Sequence, residues 1–333
     1  MAQKSNGKHF KQDGPAATTT KTGYVPASAG AYSRTASHAS RTTGRKSRGS
    51  RDPKPSRLNK QRRGRNVLST LLIIVGVALL LVAGGMWGYA QYQYHVQDEN
   101  NAKLAAYATV SDDAAQPPTI DWEGLKAVNA DIVGWIYIPG THVDFPVYQG
   151  DSNDTYLRTS AEGTYSVGGQ IFMDYENARP GLVDRQTLIY GHHLNNGAMF
   201  TDVDEFANQD YFNGVDTVWY LTEDTSYELE PLFFYKSAAT NGAARQTTFS
   251  SDDDFHAYLA DALSQATAKS GSPRAPAPPS RPEREVEVMN GSRVLTLCTC
   301  DYENDFGKGN GRGLLVCALK SEVSGTDTAV SAS

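Results

Sequence analysis

The chain has 333 residues and a formal charge of −6, enough length for one or two domains. The average hides a split: residues 1–66 hold sixteen Lys and Arg against two Asp, about +14, which leaves the rest near −20. Three cysteines, all within 298–317, exclude a disulfide-stapled framework, and neither a CxxC pair nor a zinc-type His/Cys spacing occurs.

Residues 1–66 are rich in Ser, Thr, Gly, Ala, Lys and Arg and nearly free of large aliphatics. Such a stretch cannot bury enough apolar surface to offset the entropy of ordering, so it reads as a disordered basic tail. Basic charge can bind nucleic acid, but this tail ends directly against an apolar run, which favours a membrane-flanking role without nucleic acid. The run, 67–90, contains 24 residues and no charge. As a helix it spans the roughly 30 Å hydrocarbon core of a bilayer with some tilt.

Arg62, Arg63 and Arg65 precede the run and Asp98 and Glu99 follow it. The positive-inside rule then places the N-terminus in the cytoplasm and the C-terminal body outside the cell membrane. Trp87, Tyr89, Tyr92 and Tyr94 cluster at the outer end, where interfacial aromatics sit. The apolar core is too long for a cleaved signal peptide, so a retained single-pass anchor is expected. Residues 91–118 then form a stalk or linker, helical over 91–107 and broken at Pro117 and Pro118.

A short helix is expected over 121–129, with Asp121 as its first-turn acid. Aromatic and β-branched runs follow at 135–138 and 143–148, parted by Pro139-Gly140. Further strands are predicted at 169–173, 187–190, 217–221, 227–235, 293–300 and 313–319. One substantial helix, 251–268, shows the spacing of a buried face through Phe255, Tyr258, Leu259, Ala262, Leu263 and Ala266. Ser250 or Ser251 can cap it, and Asp252, Asp253 and Asp254 suit the positive end of its dipole. The pattern is mainly β, a barrel or sandwich with helical insertions. A Pro-rich loop, 271–282, and a disordered tail, 322–333, complete the chain.

An odd, clustered set of cysteines outside the cytoplasm points to a working thiol. Cys300 ends an apolar strand, and Arg312 follows twelve residues later. A cysteine becomes a useful nucleophile only when partly thiolate, so it needs a base or a cation nearby. His9 and His38 lie in the tail, His95 in the stalk, His142 in a turn and His256 on the helix. His192 and His193 remain, directly after a strand that ends at Gly191. A strand-end cysteine and a strand-end histidine can meet in space, and an arginine beside them can hold a developing oxyanion. These residues suggest a thiol acyl-transfer enzyme. Each of them alone is more commonly core or surface.

From about 121 to 319 the chain resembles a class B sortase, the membrane-anchored cysteine transpeptidases of Gram-positive bacteria. The resemblance rests on Asp131-Ile132-Val133-Gly134-Trp135-Ile136, on Asn153-Asp154-Thr155-Tyr156-Leu157 and on Gly169-Gln170-Ile171-Phe172-Met173-Asp174. It continues through Tyr190-Gly191-His192-His193, Thr296-Leu297-Cys298-Thr299-Cys300 and Arg312, in order. It implies an eight-stranded sortase-type β-barrel with an N-terminal helical extension and a helix inserted between late strands, as a catalytic domain over 119–321.

The resemblance implies that Cys300 is the nucleophile, His192 its proton partner and Arg312 the oxyanion stabiliser, with His193 a neighbour. Asn153, Leu157, Cys298 and Asp301 would contact the substrate. The implied reaction cleaves an LPxTG- or NPxTG-like sorting signal after Thr through a thioacyl enzyme. The acyl group then passes to an amine of a cell-wall cross-bridge or a pilin lysine, with no cofactor or metal. Cys298 departs from the family pattern, which has Ser there. It stands for a groove-lining replacement, a redox partner of Cys300, or the nucleophile itself. A thiol hydrolase, or an inactive membrane-anchored binding module, are the competing functions.

Overall fold

A computed structural model describes residues 59–111, 116–270, 293–301 and 310–324. Most of the basic tail, the Pro-rich 271–282 loop and residues 325–333 therefore lie outside the described residues, while 322–324, expected in the disordered tail, instead end a strand paired to a neighbour. The first element, α1 (Asn59–Ala105), is a 47-residue helix. It carries the apolar stretch and the expected stalk without a break, and it is the one described helix long and apolar enough to cross a membrane. Leu72, Leu80 and Leu81 stand exposed along it.

Beyond α1 the chain makes a two-residue pairing of β1 (Ala108–Thr109) with β2 (Thr119–Ile120) and then α2 (Trp122–Val128). Asp121 is the N-cap of α2, its carboxylate accepting from Gly124 N–H at 2.9 Å, a contact worth about 1 kcal/mol. The main sheet comprises β3 (Ile132–Tyr137), β4 (Asp144–Tyr148), β5 (Ile171–Met173), β6 (Gln186–Tyr190), β7 (Val218–Leu221), β8 (Thr225–Ala238), β9 (Ala266–Lys269), β10 (Val294–Asp301) and β11 (Gly311–Ser324). Its order is β11-β10-β6-β5-β4-β3-β7-β8-β9, and β11 also pairs with β8. That pairing closes eight strands into a barrel, with β9 added outside the closure on β8. The protein is mainly β, as the resemblance implied.

Alternation along the strands sorts the core. Leu295 and Leu297 of β10 and Leu315 and Cys317 of β11 join the interior cluster. Val294 and Cys298, with Leu314, Val316 and Ala318, face outward into a second cluster. That outer cluster is covered by α5 (Asp252–Ser264), through Phe255, Leu259 and Ala262. Burying such a Phe or Leu contributes about 1.5–3 kcal/mol, so α5 is held mainly by this apolar stripe. Both faces of β10 are therefore buried, which is why its sequence reads as a nearly continuous apolar run.

The helix differs from its predicted extent. Ser251 caps it through Asp254 N–H at 3.1 Å, but it stops at Ser264, and 266–268 do not belong to it. Ala266 and Ala268 instead pair with Tyr235 and Phe234 of β8. Beyond the reach of β7 the edge of β8 needs hydrogen-bond partners, and this tertiary demand overrides the helical preference of alanine. Two short helices, α3 (Thr201–Glu205) and α4 (Gln209–Asn213), were not expected from the sequence.

Candidate active site

Strand register gathers the candidate residues at one end of the barrel. Strands β10 and β6 run parallel with Cys298 beside Tyr190, and Gly191 N–H extends the ladder by donating to Cys298 O at 3.1 Å. The chain leaves β6 there, so His192 emerges next to the last residues of β10. Gly191 must be glycine: a Cβ at this position would lie within 2.6 Å of the buried Phe200 and Ile171 side chains. On the other side of β10 the antiparallel β11 sets Arg312 directly opposite Cys300. Opposed residues in such a ladder have their Cβ atoms about 4.5–5.5 Å apart.

Cys300, His192 and Arg312 line a single cavity of about 200 Å³. Asn153, Leu157 and Cys298, expected at the substrate groove, line it too. Asp301 is the last residue of β10, paired with Gly311.

The two histidines have different surroundings. His192 Nε2 lies 2.8 Å from the Leu157 carbonyl. A carbonyl only accepts, so Nε2 carries the proton and Nδ1 is left to exchange one. Burial lowers the His192 pKa, the Leu157 carbonyl opposes that shift, and the charges of Arg158 and Arg312 lower it further. A neutral imidazole is favoured.

His193 is not among the residues that line the cavity. Its Nδ1 lies 3.5 Å from Asp204 Oδ2, and this carboxylate raises its pKa against the opposing effect of burial, with help from the Cys300 backbone carbonyl. His193 therefore supports the backbone at Cys300.

The three thiols are all reduced, and they differ in environment. Cys300 is half-buried at the cavity. Cys298 is 1% exposed, and burial pushes its thiol up to about 12 although Arg245 and Arg312 pull it down. It is a protonated thiol at neutral pH and a poor nucleophile. Cys317 is fully enclosed in the barrel interior, where burial also raises its pKa.

The surroundings of Asn153 escaped sequence reasoning. Tyr190 donates its hydroxyl to Asp174 Oδ2 at 2.7 Å, and Asn153 Nδ2 donates to the same oxygen at 3.0 Å. Asn153 Oδ1 in turn accepts from Tyr175 N–H at 3.1 Å. The only trace of this knot in the sequence is Asp174 at the end of the Gly-Gln-Ile-Phe-Met-Asp run. Arg245, which also lines the cavity, had no sequence signal at all.

The long helix α1 reaches this region as well. Gln97 of α1 is 1% exposed. Its Oε1 accepts from the Ser166 hydroxyl and from Gly168 N–H at 3.1 Å, and its Nε2 donates to Asn101 Oδ1 at 2.9 Å. The same amide lies 3.6 Å from the sulfur of Met199, the residue that bridges to His193. Nearby, Asn196 donates to Asp98 at 3.0 Å. Gly169, at φ +56°, follows the Gln97 contacts and packs onto the backbone of Tyr156 and Leu157. The helix thus braces both segments that flank His192.

Residues 136–320 match the Sortase domain family. Sortase B of Listeria monocytogenes is 33% identical over 185 residues, 56% of this chain and 69% of that protein. Sortase B of Staphylococcus aureus is 27% identical over 239 residues, 70% of this chain and 91% of that protein. The X-ray structure of Clostridium perfringens sortase B aligns with a TM-score of 0.50 at 31% identity, covering 60% of this chain and 99% of that one. A domain match over more than half the chain and a relative one-third identical over most of its own length agree with the closed barrel and its cavity: the chain belongs to the sortase family, as a class B sortase and so a cysteine transpeptidase.

Proposed function

We propose that the enzyme cleaves an LPxTG- or NPxTG-like sorting signal after its Thr and joins the Thr carbonyl to an amine, with Cys300 as nucleophile. The observation that carries this reading is the convergence of Cys300, His192 and Arg312 on one cavity. Neutral His192 takes the Cys300 proton at Nδ1 as sulfur attacks the Thr carbonyl. The carbonyl electrons move onto oxygen, where the permanent charge of Arg312 stabilises them; one such donor is typically worth about 10²–10³ in rate.

Collapse of this intermediate breaks the Thr–Gly or equivalent C–N bond, and imidazolium His192 delivers its proton to the leaving amine. The thioacyl enzyme keeps the acyl group activated. An incoming amine, from a cell-wall cross-bridge or a pilin lysine, attacks it and gives its proton to His192. Sulfur leaves as thiolate and is reprotonated. No cofactor is called for.

Asn153 and Leu157 hold the acyl donor, and Cys298 supplies a small apolar wall. Asp301 is assigned a substrate contact on the resemblance alone. The apolar stretch of α1 anchors the enzyme in the cell membrane with its N-terminus in the cytoplasm and the barrel outside, where surface proteins pass.

The full chain in detergent micelles, incubated with quenched LPxTG- and NPxTG-type peptides, tests this reading. Mass spectrometry should find a thioacyl adduct on Cys300, and hydroxylamine or an added amine should accelerate its release. Absence of that adduct with every peptide of either type would overturn the proposal. A Cys300→Ala chain that retained turnover would move the nucleophile elsewhere.

A further inference from the structure

Resting on that reading, we infer that Arg245 is a specificity-determining residue, selecting sorting signals that carry a carboxylate side chain. Arg245 ends a 3-10 turn, Gly242–Arg245, in the connection from β8 to α5. It lines the same cavity as Cys300, half-buried, and its Nε is buried without a hydrogen-bond partner. Its one described hydrogen bond runs from an NH2 donor to the Ala239 carbonyl at 2.8 Å. Among the described residues no carboxylate forms an ion pair with it.

The turn that carries this arginine is fixed on both sides. The Ala244 carbonyl accepts from Tyr258 and Tyr235 hydroxyls at 2.9 and 3.1 Å. The Gln246 carbonyl accepts from Gln186 Nε2 at 2.8 Å, and Gln186 sits on β6, the strand that leads to His192. The guanidinium is therefore placed by α5, β8 and β6 together.

A partly desolvated cation with no counterion is costly, and such groups are retained in cavities where a ligand supplies the missing charge. Guanidinium favours carboxylate, whose two oxygens match its forked donors. The cavity's balance points the same way. Arg245 and Arg312 both line it, His192 is favoured as neutral, and Asp154, the one acidic side chain lining it among the described residues, is exposed. A peptide that brings a carboxylate pairs with Arg245 on the way to Cys300, whereas one that brings a lysine meets two like charges.

The test uses the full chain in micelles and a peptide set in which each residue flanking the scissile Thr is replaced in turn by Glu, Gln or Lys. At one position Glu should exceed Lys by about tenfold or more in kcat/KM, with Gln between. Arg245→Glu should invert that order at the same position, and Arg245→Lys should restore its sign. Equal rates for Glu and Lys at every position, or an order unchanged by Arg245→Glu, would overturn the assignment. Binding of the same peptides to a Cys300→Ala chain, followed by fluorescence anisotropy, separates this claim from the chemistry. The charge preference and its inversion should appear in binding without turnover, and a flat binding series would reject the role of Arg245 whatever Cys300 does.

Discussion

Replacing Gln97 by Leu tests whether α1 is structurally part of the catalytic body. The side chains are similar in size, so the change removes hydrogen bonds more than volume. Gln97 Oε1 serves two donors, the Ser166 hydroxyl and Gly168 N–H. Ser166 Oγ retains only a long contact of 3.5 Å to the Gly169 carbonyl, and Gly168 N–H has no other described partner. Each buried donor left unsatisfied costs about 1–3 kcal/mol, and the apolar gain of leucine offsets part of that. A net loss of about 2–4 kcal/mol is expected, large against the 5–15 kcal/mol that holds a typical domain. Urea unfolding of the full chain in micelles measures it, with the buried Trp135 and Trp219 as reporters. Hydrogen exchange adds a local readout, because the Gly168 amide should lose protection first. A midpoint within about 0.5 kcal/mol of wild type, together with unchanged Gly168 exchange, would refute the reasoning.

Activity should separate the histidines: His192→Ala abolishes peptide turnover, while His193→Ala lowers it only mildly, and equal losses would reject the assignment of the proton partner. Stability should separate them by sign. The raised pKa of His193 gives stabilisation that is full below the unfolded value of about 6.5 and is lost as pH rises through the folded value. The lowered pKa of His192 works oppositely, destabilising the fold as pH falls below about 6.5. Urea midpoints between about pH 5 and 8 should therefore fall on the acid side for His193→Gln and rise there for His192→Gln. Gly191→Ala drives a methyl into Phe200 and Ile171; overpacking of this kind costs about 1–3 kcal/mol, and turnover should fall because His192 is the next residue. Alkylation by iodoacetamide near neutral pH should label Cys300 alone among the three thiols in the folded protein, and labelling of Cys298 would contradict its burial.

The sequence revealed what is local or periodic. The apolar run, the cap at Asp121, the strand cores and the buried stripe of α5 all have signatures within a few residues. The pairing of a strand-end cysteine with a strand-end histidine was legible as a possibility, and register made it concrete by setting β10 between β6 and β11. What stayed hidden depends on distant partners. Nothing near Ala266 says that the edge of β8 lacks a neighbour, so the helix was extended too far. Nothing near Arg245 says that its turn is pinned by two tyrosines and a glutamine from other elements. Gln97 looked like any polar residue of a solvated stalk, because its partners on the barrel lie about seventy to a hundred positions away. The choice between His192 and His193 needed family resemblance, since adjacent residues share every local cue. Their different exposure to the cavity then follows from the turn after Gly191.

The continuity of α1 gears the apolar stretch to the site. Gln97 lies seven positions after Ala90 within one unbroken helix, close to two full turns. Inserting a single residue between them would rotate the apolar stretch by about 100° and displace it by about 1.5 Å relative to the barrel, while inserting seven would nearly restore the phase two turns further out. The direction in which the apolar stretch faces relative to the cavity is thus recorded as a helical phase, written in the number of residues between Ala90 and Gln97.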